Sequence, residues 1–180
     1  MDTTAQIRAL INRLARLDAA ETWEIDLNPA QIAALDYLAR ANRFSRAPSH
    51  VAEYLGTTRG TMSQTLKSLV RKGYVTEHRS QIDKRSISYD LTPEGLALTS
   101  RQTAFAEAIT SIPPRDQEQL RTGLSALLAS RLKANGGRAF GICKDCAYHR
   151  TDATGAYCTL LSVPLSPQDT TQICHEQVAA

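Results

Sequence analysis

Four cysteines fall within the last 38 residues of the chain, spaced Cys143-x2-Cys146-x11-Cys158-x15-Cys174, and the first 142 residues contain none. Four thiols in one short segment form either a disulfide framework or a metal site. The start of the chain, MDTTAQIRALINRLARLDAA, has no apolar stretch of the kind a secretory leader needs. No apolar run approaches the ~18 residues that cross a membrane. These features predict a cytoplasmic protein with no membrane partner, in which thiols stay reduced. The disulfide reading then loses weight. Phe140, Ile142, Tyr148, Tyr157, Leu160, Leu161, Val163, Leu165 and Ile173 interleave with the cysteines. A segment this small builds little core alone. Metal binding would supply the cross-link, because its free energy becomes folding free energy. His149 and His175 flank the thiols and could replace a ligand or hydrogen bond to a sulfur, although a surface position is the ordinary fate of either.

The segments before the cysteines must position them and have chemistry of their own. The 180 residues carry a net charge of +3, and residues 46–91 hold eight Lys/Arg against four Asp/Glu. A basic stretch is an electrostatic footprint for an anionic partner such as double-stranded DNA, although a solvated face gives the same count. Ile7, Leu10, Ile11, Leu14 and Leu17 mark one face of a first helix. Asn28-Pro29 offers a cap and a proline start for a second helix, with Ile32, Leu35 and Leu38 inward, ending near Asn42. Pro48 starts a short third helix stopped by Gly56. Thr57 or Thr58 caps a fourth, reaching Lys72 before Gly73. Its apolar positions are Met62, Leu66, Leu69 and Val70, and its opposite face shows Arg59, Ser63, Gln64 and Lys67. Two short helices with a polar outer face on the second predict a helix-turn-helix.

Tyr74–His78 and Ser86–Leu91 are β-prone runs around the basic stretch Arg79–Arg85, which predicts a hairpin with a charged tip. Thr92-Pro93-Glu94-Gly95 opens a fifth helix carrying Leu98, Phe105, Ile109 and Ile112, broken by Pro113-Pro114. A sixth runs from about Arg115 to Lys133, with Leu120, Leu124, Leu127, Leu128 and Leu132 in register, and ends at Asn135-Gly136-Gly137. The first, fifth and sixth helices must bury long apolar stripes outside the hairpin region, and a second subunit is one way to do so. The fold class expected is mostly α with a small β-wing (α+β): a winged helix-turn-helix flanked by dimerisation helices, plus a small cysteine-rich module. Residues 1–135 form the main domain, 136–139 a linker, and 140–180 the metal-binding tail. No G-x-S-x-G, Gly-rich phosphate loop or H-E-x-x-H occurs, so no enzyme is expected.

The run SHVAEYLGTTRGTMSQTLKSLVRKGYVTEHRSQIDKRSISYDLTPEGLAL resembles the multiple-antibiotic-resistance regulator (MarR) family. The resemblance lies in the short helix, the recognition helix ending in Lys72-Gly73-Tyr74-Val75, the Asp83-x-Arg85 wing and the closing Leu91-Thr92-Pro93-Glu94-Gly95. With the order of flanking helices it spans roughly residues 5–135. It implies a homodimer that places two winged helices on a palindromic operator, most simply as a repressor. It also implies DNA contacts from Thr57, Thr58, Arg59, Gly60, Ser63 and Gln64. Gln64 could read adenine and Arg59 guanine, and Lys67 would hold a phosphate. Arg85 would be the wing arginine, steadied by Asp83, with Arg79 and Lys84 attracting phosphate. The family often binds a small-molecule effector, which no residue here identifies.

The tail lies outside that resemblance. Cys143-x2-Cys146 is a good metal knuckle, but Cys158 and Cys174 are too far apart for a zinc ribbon's second knuckle. The order is similar to that of high-potential iron proteins and of small cluster-binding subunits of some glycyl-radical enzymes. That similarity implies a [4Fe–4S] cluster on Cys143, Cys146, Cys158 and Cys174. Structural zinc and metal-free redox thiols remain alternatives. Two functions follow: a repressor whose tail senses redox state, oxygen or iron, or a ligand-responsive repressor with a structural zinc tail or protein-contact module.

Overall fold

The computed structural model describes residues 2–21, 26–80 and 86–180. It is mostly helical, with a small antiparallel wing and a second small sheet near the C-terminus. Helix α1 covers Thr3–Ala20. Helix α2 covers Pro29–Arg40, begun by a capping box in which Asn28 and Gln31 satisfy each other's backbone N–H, with Pro29 in the first turn. A 3₁₀ turn at Arg43–Ser45 leads into α3, Pro48–Tyr54. Helix α4, Arg59–Arg71, is capped by Thr58, whose hydroxyl accepts from the Thr61 N–H at 3.1 Å. Strands β1 (Val75–Arg79) and β2 (Ile87–Leu91) pair with Glu77 opposite Tyr89. Asp83, Lys84 and Arg85, at the tip between them, lie outside the described residues.

The single helix expected from Thr92 to Ile112 is instead two: α5 (Pro93–Thr99) and α6 (Ala104–Ser111). The break has a local cause. The Thr99 and Ser100 hydroxyls donate back to the Leu96 carbonyl, and Thr103 starts a new helix by accepting from the Ala106 N–H. Helix α7 then runs over Pro114–Asn135, and Gly136 closes it in a left-handed conformation.

The core is built on α2, α3, α4 and the wing, where Leu35, Leu38, Val51, Met62, Leu66, Leu69, Val75 and Tyr89 are sealed from solvent. Two polar side chains inside it are paired across elements. The Tyr37 hydroxyl donates to the Ser45 carbonyl at 2.8 Å, and the Gln31 amide donates to the Ser68 hydroxyl of α4 at 3.0 Å. The Gly95 of the Leu-Thr-Pro-Glu-Gly run has a steric reason: a Cβ there would sit 2.1 Å from the Tyr74 carbonyl oxygen. Helices α1, α6 and α7 differ, since none of their described side chains is buried.

The tail forms a 3₁₀ turn at Cys143–Asp145, the meander β3 (His149–Asp152), β4 (Gly155–Cys158) and β5 (Val163–Leu165), and the short α8 (Pro167–Thr171). It is docked on the helix-turn-helix. Phe140 and Ile173 belong to the main core, and Phe140 meets the Tyr37 and Tyr54 rings edge-on at 6.2 and 5.3 Å. Ile173 pairs by backbone with the end of α2: its N–H donates to the Arg40 carbonyl at 2.8 Å and its carbonyl accepts from the Asn42 N–H at 2.9 Å.

Candidate nucleic-acid interface and cysteine site

Helix α4 has two distinct faces. Met62, Leu66 and Leu69 point into the core, while Arg59, Gly60, Gln64 and Lys67 are exposed. Arg59, Ser63 and Lys67 line one groove with Pro48 and His50 of α3 and Ser86 beside the wing. The groove gathers three of the predicted contact residues. Ser63 is half-buried and its hydroxyl donates to the Arg59 carbonyl at 2.8 Å. Thr58 spends its oxygen on the helix cap and also meets the Thr61 hydroxyl at 2.8 Å. Thr57 is half-buried in the turn before the cap, where its N–H donates to the Ala52 carbonyl. Arg79 is paired with Glu77, Nε to Oε1 at 2.9 Å. The Tyr89 hydroxyl also donates to Glu77, at 2.9 Å, and together these bonds hold the Glu77 carboxyl below its ordinary range. Arg46 ties the α2–α3 turn to the wing, donating to the Ala41 carbonyl and to Asp90.

The cysteine segment brings its thiols into one neighbourhood. All four are free; Cys143, Cys146 and Cys174 are buried and Cys158 is half-buried. Cys143, Cys174 and Leu165 form an apolar cluster, with Phe44, Ala156 and Cys158 against it. Burial pushes the Cys143 thiol up to about 12, and the nearness of Cys174, Cys158 and Cys146 adds to the rise. Thiolates here would repel one another unless a cation sits among them. Among the described residues, no three His, Cys, Asp or Glu side chains stand in an arrangement that could hold a metal ion.

Residues of the helix-turn-helix lie beside this site, and no spacing in the sequence pointed to them. Asn42 is fully buried. Its Oδ1 accepts from the Phe44 N–H and the Ser45 hydroxyl, at 3.2 and 2.8 Å, which fixes the amide's orientation. Its Nδ2 has no aligned hydrogen-bond partner. Burial pushes the Cys174 thiol up, while the Glu176 backbone and the Asn42 and Ser45 side chains pull it back. Next to Cys174, the His175 N–H donates to Ser45 Oγ at 3.0 Å, and the His175 ring stacks on His50 with centroids 3.4 Å apart. Both histidines that flank cysteines, His149 and His175, are half-buried.

The geometry so far is a winged helix with a thiol-rich module on its α2–α3 corner. Residues 25–86 match the sequence profile of the MarR family. Over those residues the chain is similar to that family, whose winged-helix fold it shares. No curated protein matches it. Among solved structures it is similar to Staphylococcus aureus MepR in its DNA-binding conformation, at 20% identity and TM-score 0.60, over 72% of this chain and 98% of that one. Streptococcus pneumoniae FabT in complex with DNA matches at 21% identity and TM-score 0.59, over 73% and 96% of the respective chains. A MarR regulator from Methanosarcina mazei Go1 matches at 22% identity and TM-score 0.60, over 72% and 99%. These likenesses describe the MarR-like fold.

One further cavity, of about 340 Å³, lies between α1, α2 and α5, lined by Asp18, Glu21, Ile32, Asp36, Leu98 and Arg101 among others. Burial raises the Asp36 and Asp18 carboxyls above their usual range. Among the described residues, no helix is long and apolar enough to cross a membrane.

Proposed function

We propose that this protein is a sequence-specific, non-enzymatic transcription regulator that binds a palindromic operator as a homodimer, and that its four cysteines hold a metal centre that reports redox state, oxygen or iron. The observation that carries the first part is α4, apolar and sealed on one side, polar and open on the other, beside a wing. Gln64 and Arg59 are the base readers in this reading and Lys67 a phosphate contact. Thr57, Thr58, Gly60 and Ser63 shape the turn and the close approach of backbone to DNA. Arg79, Lys84 and Arg85 serve the wing. MepR and FabT, which share the fold, were solved in DNA-binding or DNA-bound form.

Four free thiols in one small module, three of them in one apolar cluster, support the second part. Cys143, Cys146, Cys158 and Cys174 would be the ligands, and a [4Fe–4S] cluster is the group proposed, because the thiolate set and its spacing suit one. When bound, such a group supplies positive charge that keeps the thiolates ionised, together with a reversible electron.

The test of the DNA reading is a pair of titrations on specific and random duplexes. Gln64→Ala or Arg59→Ala should cost about 1–3 kcal/mol on the operator and relax preference at one position per half-site. Lys67→Ala should weaken both duplexes alike and flatten the salt dependence. Equal loss from Gln64→Ala on both duplexes would remove the recognition-helix assignment. The metal reading is tested by elemental analysis and an absorbance spectrum of anaerobically purified protein, where brown colour means iron–sulfur and a colourless zinc protein means the structural alternative.

The cavity between α1, α2 and α5 favours a second reading, a repressor released by a small molecule with a structural tail. Its carboxylates suit a cationic or hydrogen-bond-donating compound. Asp36→Asn should then abolish the response to that compound without altering operator binding in its absence.

A further inference from the structure

One contact of the tail continues into the nucleic-acid groove. The His175 ring stacks on the His50 ring, with centroids 3.4 Å apart and planes 19° from parallel. His50 belongs to α3, and it lines the groove that also holds Arg59, Ser63 and Lys67 of α4. Ser86, Ile87 and Tyr89 line the same groove from the wing side. Two cationic side chains, Arg59 and Lys67, beside the Ser49 and Ser86 hydroxyls give it the chemistry of a phosphate seat.

The His175 ring is a fixed platform. Its Nε2 donates to Glu176 Oε1 at 3.0 Å, and its Nδ1 lies 3.4 Å from Ser45 Oγ. Its backbone N–H donates to the same Ser45 oxygen at 3.0 Å. Arg138 holds Glu176 in turn, donating to it at 2.7 Å, and pairs with Glu53 of α3 at 3.8 Å. The chain is anchored before His175 as well, since Ile173 exchanges backbone hydrogen bonds with Arg40 and Asn42. A nearly parallel ring face at 3.4 Å is van der Waals contact, so His50 has no room to tilt on that side.

We propose that His175 is a positioning residue for DNA binding: by backing the His50 ring it fixes the α3 wall of the groove in which Arg59 and Lys67 receive a backbone phosphate. The inference rests on the DNA reading above and not on what the four cysteines hold. The tail is then a working part of the DNA-binding half, where a tethered module would leave α3 untouched. A His50 ring without its platform gains rotational freedom, which must be given up again when DNA enters. For one side chain that ordering weakens binding by roughly 2- to 10-fold.

The test uses the full chain on an operator duplex and on a random one. His175→Ala should weaken both by roughly 2- to 10-fold, and alike, because a phosphate seat carries no base information. His175→Phe keeps a ring for the stack and should recover most of the loss. His50→Ala should also weaken both duplexes, and the double variant His50→Ala, His175→Ala should bind no more weakly than His50→Ala alone. Residues that act through one another show such non-additivity, whereas independent structural losses add. Losses that add in the double variant, a His175→Phe as weak as His175→Ala, or a His175→Ala that binds as wild type each overturn the inference. Wild type supplies an arm that needs no variant to fold: adding operator should move the imidazole signals of His50 in nuclear magnetic resonance, and an unmoved signal overturns the inference too. Lys67→Ala separates this failure from that of the DNA reading. If it weakens both duplexes while His175→Ala does not, the groove holds phosphate and only the role of His175 is lost. If it has no effect on either duplex, both readings fall.

Discussion

The two ends of this chain treat apolar surface in opposite ways. The C-terminal tail brings two large side chains, Phe140 at 7% exposure and Ile173 at 6%, to the core of the winged helix. Helices α1 and α7 leave Leu10, Leu14, Leu17, Leu120, Leu124, Leu127 and Leu128 open, all between 45 and 60% exposed. One region is complete within a single subunit. The other carries an exposed apolar patch of the kind that marks an interaction surface, and under the proposed function a second copy covers it. The lesson is that an apolar stripe in a sequence states that burial is needed, without stating by what.

The sharpest way to break this comparison is to charge the open face. Leu124→Asp together with Leu128→Asp should turn a dimer into a folded monomer in sedimentation. Operator affinity should then fall by roughly 100-fold or more, since the two half-sites are no longer engaged together. A double variant that still sediments as a dimer and keeps its affinity would place the dimer contact elsewhere.

The closed face should answer differently. Phe140→Ala removes a buried ring that touches Tyr37 and Tyr54. It should cost about 3–5 kcal/mol in chemical unfolding. Sedimentation of the folded variant should remain that of wild type, because the ring lies away from the exposed leucines. A change in dimerisation without a change in stability would reverse the roles assigned to the two ends.

Legibility in the sequence follows the same division. Elements fixed by local chemistry were readable. The Asn28-Pro29 start of α2, the Thr58 cap of α4, the left-handed Gly56, Gly73 and Gly136, and the wing strands all depend on residues a few positions apart. The break between α5 and α6 was not readable, because the leucine and isoleucine spacing runs across it while the Ser and Thr side-chain bonds that interrupt it are weak signals. The exposed face of α4 was readable from Arg59, Gln64 and Lys67, but not that the Ser63 hydroxyl would be spent on the Arg59 carbonyl. The four thiols were visible as a cluster. Their neighbours Asn42, Ser45 and His50 were not, because they are separated from Cys174 by more than a hundred residues and no periodicity links them. Asn42 in particular reads as an ordinary residue at a helix end.

The contact between the two halves should also leave a mark in acid. His50 stacks on His175, and the charged groups around it are Glu176, Arg138 and Glu53. Burial first, then the nearness of His175 and Arg138, lowers the His50 imidazole to about 4, against the opposing pull of Glu176. In the unfolded chain the same ring takes its proton near 6.5. The unfolded state thus binds more protons between those values, and stability falls as pH falls. The contribution of a neutral His50 is fully present above about 6.5 and is lost progressively toward 4. His50→Phe keeps a ring for stacking and has no proton to take. Its unfolding midpoint should therefore decline less steeply than wild type from pH 6.5 to 4, with the two curves parallel above that window. Comparing the two proteins in the same metal state removes any acid lability that both share. Parallel curves through the whole range would mean that His50 is hydrated in the folded protein, and that the tail does not close over α3.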